Sequence, residues 1–175
     1  MELDSLYISI QIEKVRLDEF FAVQPISPNN DDNWSRWWAS RQMYGKTALD
    51  VIPHYPQAHI REVFDNLLKD RFYGAKEHYD EEKQRWTFTV LNFSENYQEI
   101  LPMLALLKQL EGYALEGFAL IFDWMWGGDT VMAYVDFKEG RALLDAVTES
   151  NAIELNRFEE ADQNLQSLAE ELGAR

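Results

Sequence analysis

The side chains that could carry chemistry in this chain are few and widely separated. Its three histidines are His54, His59 and His78. His54 and His59 lie five residues apart with Pro56 between them, so they cannot share a helix face. A zinc site needs three or four convergent ligands, and these imidazoles read as solvated loop residues. The run Asn29-Asn30-Asp31-Asp32-Asn33 offers oxygen ligands. A calcium loop of the EF-hand type needs acids at alternating positions, a central glycine and a closing glutamate, which this run lacks. A turn with a helix cap accounts for it, and Asp80-Glu81-Glu82 reads as a charged hairpin tip. With no cysteine there can be no thiolate metal site or cysteine nucleophile. No P-loop, nucleophile elbow or glycine-rich dinucleotide fingerprint occurs. No metal and no cofactor are expected.

Two constellations remain. Asp123 and Asp136 fall on one face of an expected hairpin, two registry steps apart, with Ile121, Tyr134 and Met132 around them. Paired carboxylates with separated pKa values can do acid–base work; the plainer reading is two solvent-facing acids. The second constellation is Trp34, Trp37, Trp38 and Arg41 at i, i+3, i+4, i+7 spacing, one face of a helix. Aromatics beside arginine hold single-stranded nucleic acid by stacking. That mode needs a basic field, and the formal charge here is −15. The tryptophans therefore either fill the core or anchor a protein partner, since Trp and Arg dominate interface hot spots.

The elements that must position these residues can be read from periodicity. Leu6, Ile8, Ile10 and Ile12 alternate with polar residues as a half-buried strand does. A short helix is expected over Leu17 to Val23, a surface loop over Pro25 to Asn33, and a tryptophan helix capped by Asp32 or Asn33 running to Gly45. From Pro56, the stripe Ile60, Val63, Phe64, Leu67, Leu68 and Phe72 predicts a helix that stops at Gly74. A hairpin pairs Ala75 to Tyr79 with Trp86 to Phe93. A helix capped at Ser94 or Asn96 follows, with Pro102 either kinking it or starting it.

Residues 117 to 137 predict a hairpin turning in two residues at Gly127-Gly128. That register faces Trp124 with Val131, Phe122 with Ala133, Leu120 with Val135 and Phe118 with Phe137. A helix is expected from Lys138 to Val147. A last helix carries Phe158, Ala161, Leu165, Leu168, Ala169 and Leu172 inward, with its acids on the other face. The order predicts one α+β domain spanning 1–175, a mostly antiparallel sheet with helices mainly on one face. Over 84–148 the element order resembles a ferredoxin-like arrangement.

Charge and composition bound the function. Hydrophobic residues make up 46% and aromatics 14%, enough for a packed core in 175 residues. Residues 1–33 and 149–175 each carry net −5, as does the long middle, so the acidity is a property of the whole surface. Such a field opposes nucleic acid and anionic membranes and speeds encounter with a basic partner. The acidic N-terminus does not read as a secretory signal, and a cytoplasmic location is expected.

This profile is similar to that of immunity proteins that protect bacteria from their own toxins, a physical similarity that no motif carries. It implies an acidic, non-enzymatic binding protein that inhibits a basic toxin or enzyme. The residues expected to meet that partner are Trp34, Trp37, Trp38, Arg41, Asp123, Asp136, Glu159 and Glu160. The alternatives are a small enzyme built on Asp123, Asp136 and His78, or an adaptor subunit of a larger assembly. Oligomeric state is left open.

Overall fold

The computed structural model describes residues 2–42 and 46–173. Six strands form one antiparallel sheet: β1 (Asp4–Gln11), β2 (Ala75–Asp80), β3 (Arg85–Ser94), β4 (Glu116–Phe122), β5 (Val131–Lys138) and β6 (Arg141–Asp145). Their order across the sheet is β2-β3-β1-β4-β5-β6. The helices are α1 (Lys14–Ala22), α2 (Asp32–Ser40), α3 (Ile60–Lys69), α4 (Tyr97–Lys108) and α5 (Leu155–Gly173). The expected α+β class and antiparallel sheet are what the chain adopts.

The first four strands sit in the order β2-β3-β1-β4, with helices crossing from β1 to β2 and from β3 to β4. β1 lies between β3 and β4 and is antiparallel to both, so β3-α4-β4 is a split β-α-β unit. β3 likewise lies between β1 and β2, which makes a second such unit. Two split units in this order are the ferredoxin-like arrangement. It spans β1 to β4, earlier in the chain than the 84–148 window, because the expected helix over 138–147 is strand. Glu139 and Gly140, both at positive φ, turn the chain so that Lys138 pairs with Arg141. That two-residue turn starts β6, and Ala142 and Leu144 then point into the core.

Helices α1 to α4 cover one face of the sheet and α5 the other. On the first face Leu6, Ile8, Ile10, Trp86, Phe88, Val90, Ala119, Ile121 and Val135 meet Phe20, Trp37, Phe64 and the buried side of α4. On the second, Tyr7, Phe118, Leu120 and Phe122 meet Ala161, Leu165 and Leu168. Most local expectations hold. The α3 stripe buries Ile60, Val63, Phe64 and Leu67. Asn96 caps α4, its side chain accepting from the Gln98 amide, and the helix continues through Pro102. The cap of α2 is Asp31, one residue before those expected, and the helix closes at Ser40; Gly45 lies outside the described residues.

The 117–137 hairpin differs from its expected register. Phe118 faces Asp136, Leu120 faces Tyr134 and Ile121 faces Ala133, with an irregularity at Phe122, which faces Val131. Phe137 faces Gly117. Phe118 and Leu120 thus pack under α5 while Ala133, Val135 and Phe137 point to the opposite core. The tight Gly127-Gly128 turn is replaced by a wider loop. β4 ends at Phe122, Trp124–Trp126 form a 3₁₀ turn, and both glycines take positive φ behind it.

At Gly117 the backbone of β1 leaves no room for a side chain on β4. At φ +140°, a Cβ there would lie 2.2 Å from the Ser9 carbonyl oxygen and 2.8 Å from Ile10 Cα. Both obstacles are backbone in the centre of the sheet. Gly117→Ala is expected to cost more than about 3 kcal/mol, read as a lower urea midpoint or loss of soluble folded protein.

Candidate functional site

The sheet brings three acids together from distant parts of the sequence. Asp4 opens β1 and pairs with Ser94 at the end of β3, immediately before Glu95. On its other side Ser5 pairs with Phe122, so Asp123 lies one step beyond the end of β4 beside Asp4. Alternation puts Asp4 on the same face as Leu6 and Ile8, the face covered by α1 to α4. Glu2 joins these acids around a pocket of about 570 Å³. The remaining walls are Ser40, Arg41 and Gln42 after α2, Tyr97 at the start of α4, Thr130, Val131 and Met132 entering β5, and Thr148.

Asp4 is the unusual member. Its relative exposure is 8%, and its carboxyl makes no hydrogen bond or ion pair with any described residue. Burial, followed by the charges of Asp123 and Glu95, pushes its pKa from an ordinary 3.8 up to about 7. Asp123 is held by the loop it organises. Its Oδ1 accepts from the Thr130 amide at 2.9 Å, and its carbonyl accepts from the Trp126 amide at 2.8 Å and the Gly128 amide at 3.1 Å. This competition for backbone donors is what ends β4 and turns Trp124 to Trp126 out of the strand.

Arg41 also lines the pocket, and its donors are committed to backbone. Its Nη1 donates to the carbonyls of Val131 at 2.7 Å and Met132 at 2.6 Å, and its Nη2 to those of Val147 at 2.9 Å and Ala146 at 3.3 Å. Nε and Nη2 also donate to Ser40 Oγ. Burial lowers the pKa of this guanidinium from its ordinary range. Among the described residues it forms no ion pair at contact distance, and its hydrogen bonds brace the 131–132 and 146–147 segments.

The other residues singled out in the sequence are dispersed. Trp34 and Trp37 are 1% and 0% exposed and pack edge to face. Trp37 Nε1 donates to Met132 O at 2.9 Å. Both are core residues that fix α2 to the sheet, the first of the two places the sequence left open for them. Trp38 is half-buried, stacks edge-on against Tyr97 and donates to Thr47 O. The expected Asp123–Asp136 pairing is corrected. Asp123 meets Thr130, and Asp136 lies six residues further along β5, about 20 Å away at strand rise. Asp136 instead accepts from Arg157 at 2.9 Å, under α5.

Glu159 is exposed, whereas Glu160 accepts from the Tyr7 hydroxyl at 2.6 Å. His54 and His59 stay in surface contacts with their own neighbours. His78 lines a groove with Tyr7, Arg85 and Glu160. Among the described residues no three His, Asp or Glu side chains are placed to hold a metal ion.

Sequence reasoning missed Asp4 and Glu95, and it missed two exposed side chains beside Asp123, Met125 at 49% and Trp126 at 51% exposure. The available signal was positional, an acid just outside two expected strand ends, Asp4 and Glu95, whereas Asp123 fell within the strand expected to run on to Gly127. It becomes informative only once the strand order is known. No protein-family model, curated protein or solved structure matches this chain.

Two outcomes follow from these contacts. Asp4 keeps its proton in the folded state to higher pH than in the unfolded chain. Its contribution to stability is therefore full below about pH 4, falls as pH rises towards about 7, and is flat above. Asp4→Asn should abolish that slope and raise stability at pH 8 by about 2 kcal/mol relative to wild type, measured by urea unfolding from pH 4 to 8. Arg41→Lys retains the charge, but one ammonium cannot span carbonyls on two segments. Urea unfolding should show a loss of about 2–3 kcal/mol.

Proposed function

We propose that this protein is a binding protein that engages and neutralises a basic protein partner, in the manner of an immunity-type inhibitor of a bacterial toxin. The observation that carries this reading is the composition of one end of the sheet. Glu2, Asp4, Glu95 and Asp123 line a single pocket there, and Met125 and Trp126 project half-exposed from the loop that Asp123 anchors. Acidic groups around an exposed tryptophan suit a basic surface: the charges steer encounter and the aromatic supplies apolar contact area.

The overall charge of −15 supports the same reading. It accelerates association with a cationic protein and disfavours nucleic acid. No helix among the described residues is long and apolar enough to cross a membrane. An enzyme built on Asp123 and Asp136 loses its motive, because the two carboxylates lie about 20 Å apart along β5.

The test is capture and inhibition. The protein should co-purify with a basic toxin or enzyme expressed beside it and abolish that partner's activity at a stoichiometric ratio. Trp126→Ala should weaken the complex at least about tenfold, mainly through faster dissociation in surface plasmon resonance. Turnover of a small metabolite with no partner bound would instead establish the enzyme reading.

A further inference from the structure

We propose that the pocket framed by Asp4, Glu95 and Asp123 is a receptor for one cationic side chain, the guanidinium of an arginine or the ammonium of a lysine, presented by the protein partner. This rests on the reading of the chain as a binder of a basic protein and assigns the contact at its centre.

Three independent observations converge on it. The first is charge. Glu2, Asp4, Glu95 and Asp123 face the pocket, and the one cation in its walls, Arg41, is bound to the carbonyls of Val131, Met132, Ala146 and Val147. The second is the state of Asp4. The residue is more than nine-tenths buried, lines the pocket, and its carboxyl has no polar partner among the described residues. A carboxyl on a pocket wall with no protein partner is an acceptor open to a ligand. The third is size. A volume of about 570 Å³ takes an extended side chain with part of its backbone, and the described residues do not converge as metal ligands would.

Surrounding features fit a side chain delivered from a protein. Tyr97 lines the pocket and offers an aromatic wall, against which a guanidinium can stack. Met125 and Trp126 stand exposed on the loop that Asp123 holds, and this 3₁₀ turn packs on β1. Asp4 retains a proton near neutrality, so cation entry should expel that proton, and affinity should rise as pH increases. The groups that set this dependence are Asp123 on the β4 side, Glu95 after β3, Glu2 before β1, and Arg41 and Tyr97 on the facing wall.

The probe is a capped tripeptide with arginine at its centre, titrated into the full chain and followed by ¹H–¹⁵N NMR at constant ionic strength. A lysine version and a norleucine version serve as comparators. Saturable shifts are expected at Asp4, Glu95, Asp123 and Thr130 with the cationic peptides and not with norleucine. Affinity should rise several-fold from pH 6 to pH 8, with proton release visible as a buffer-dependent heat in calorimetry. Asp4→Asn should weaken binding at least about tenfold, Glu95→Gln less, and Glu170→Gln on α5 not at all.

Shifts spread over the whole acidic surface, or equal affinities for Asp4→Asn and Glu170→Gln, would overturn the assignment. Should Asp4→Asn fail to fold, Glu95→Gln and the pH dependence decide alone. The two proposals fail separately. A basic toxin inhibited equally by wild type and Asp4→Asn removes the pocket and leaves the inhibitor. A pocket that binds the arginine peptide in a protein that captures no basic partner leaves the cation site and removes the inhibitor.

Discussion

The structure depends on two central strands that are dry on both faces. Every residue of β1 from Asp4 to Ile10 is buried, and so is β4 from Gly117 to Phe122. Such strands cannot be left with one face in water, so the chain must supply two covering layers. Four helices provide the first and α5 alone the second. A single helix cannot roof six strands. Beside and beneath α5 that face is accordingly polar: Ser9, Arg85, Glu116, Asp136 and Arg157 form a network of hydrogen bonds and ion pairs across β3, β1, β4, β5 and the start of α5.

The same constraint explains which parts of the fold were legible. Where one face is buried, periodicity identifies it, as in the α3 stripe, the α5 stripe and the β2–β3 hairpin. Where both faces are apolar, the pattern no longer reports register. Over 117–137 the two-residue turn matched apolar residues throughout, and the observed register keeps most of that matching although it faces Phe118 with Asp136, because Phe118 and Leu120 find α5 while Ala119 and Ile121 find the other core. A one-residue slip that would be prohibitive in a half-exposed sheet changes little in hydrophobic matching here. The decision passes to the loop. Asp123 takes the Thr130 amide and the 3₁₀ turn absorbs the tryptophans. The Lys138 to Val147 segment departs from the expected helix because Glu139 and Gly140 turn the chain within two residues.

The acidity also divides in a way that composition cannot reveal. Several carboxylates expected on a solvated helix face are bound to the sheet. Glu160 accepts from Tyr7, Asp162 from Trp124 and Glu171 from Lys76. Buried beneath α5, the Tyr7 phenol is pushed up in pKa, by burial first and by Glu160 second. These contacts fasten the second layer, and the charge they carry is no longer free to meet a partner. Trp34 and Trp37 are committed in the same way, to holding α2. Residue types that signal interfaces in a sequence signal architecture here, because the core is large enough to consume them.

What remains is set by topology. In the order β3-β1-β4, the end of β3, the start of β1 and the end of β4 meet at one edge although they are about ninety and thirty residues apart in sequence. An acid placed at any one of these exits would be a routine strand terminator, solvated and without consequence. Placed at all three, with Arg41 hydrogen-bonded to four carbonyls, the other two acids raise the proton affinity of Asp4, which is left buried without a partner. That arrangement costs stability above neutral pH, and a neutral residue at position 4 would remove the cost. Neither packing nor hydrogen bonding in the folded chain requires a carboxyl there. A ligand that supplies the missing positive charge would.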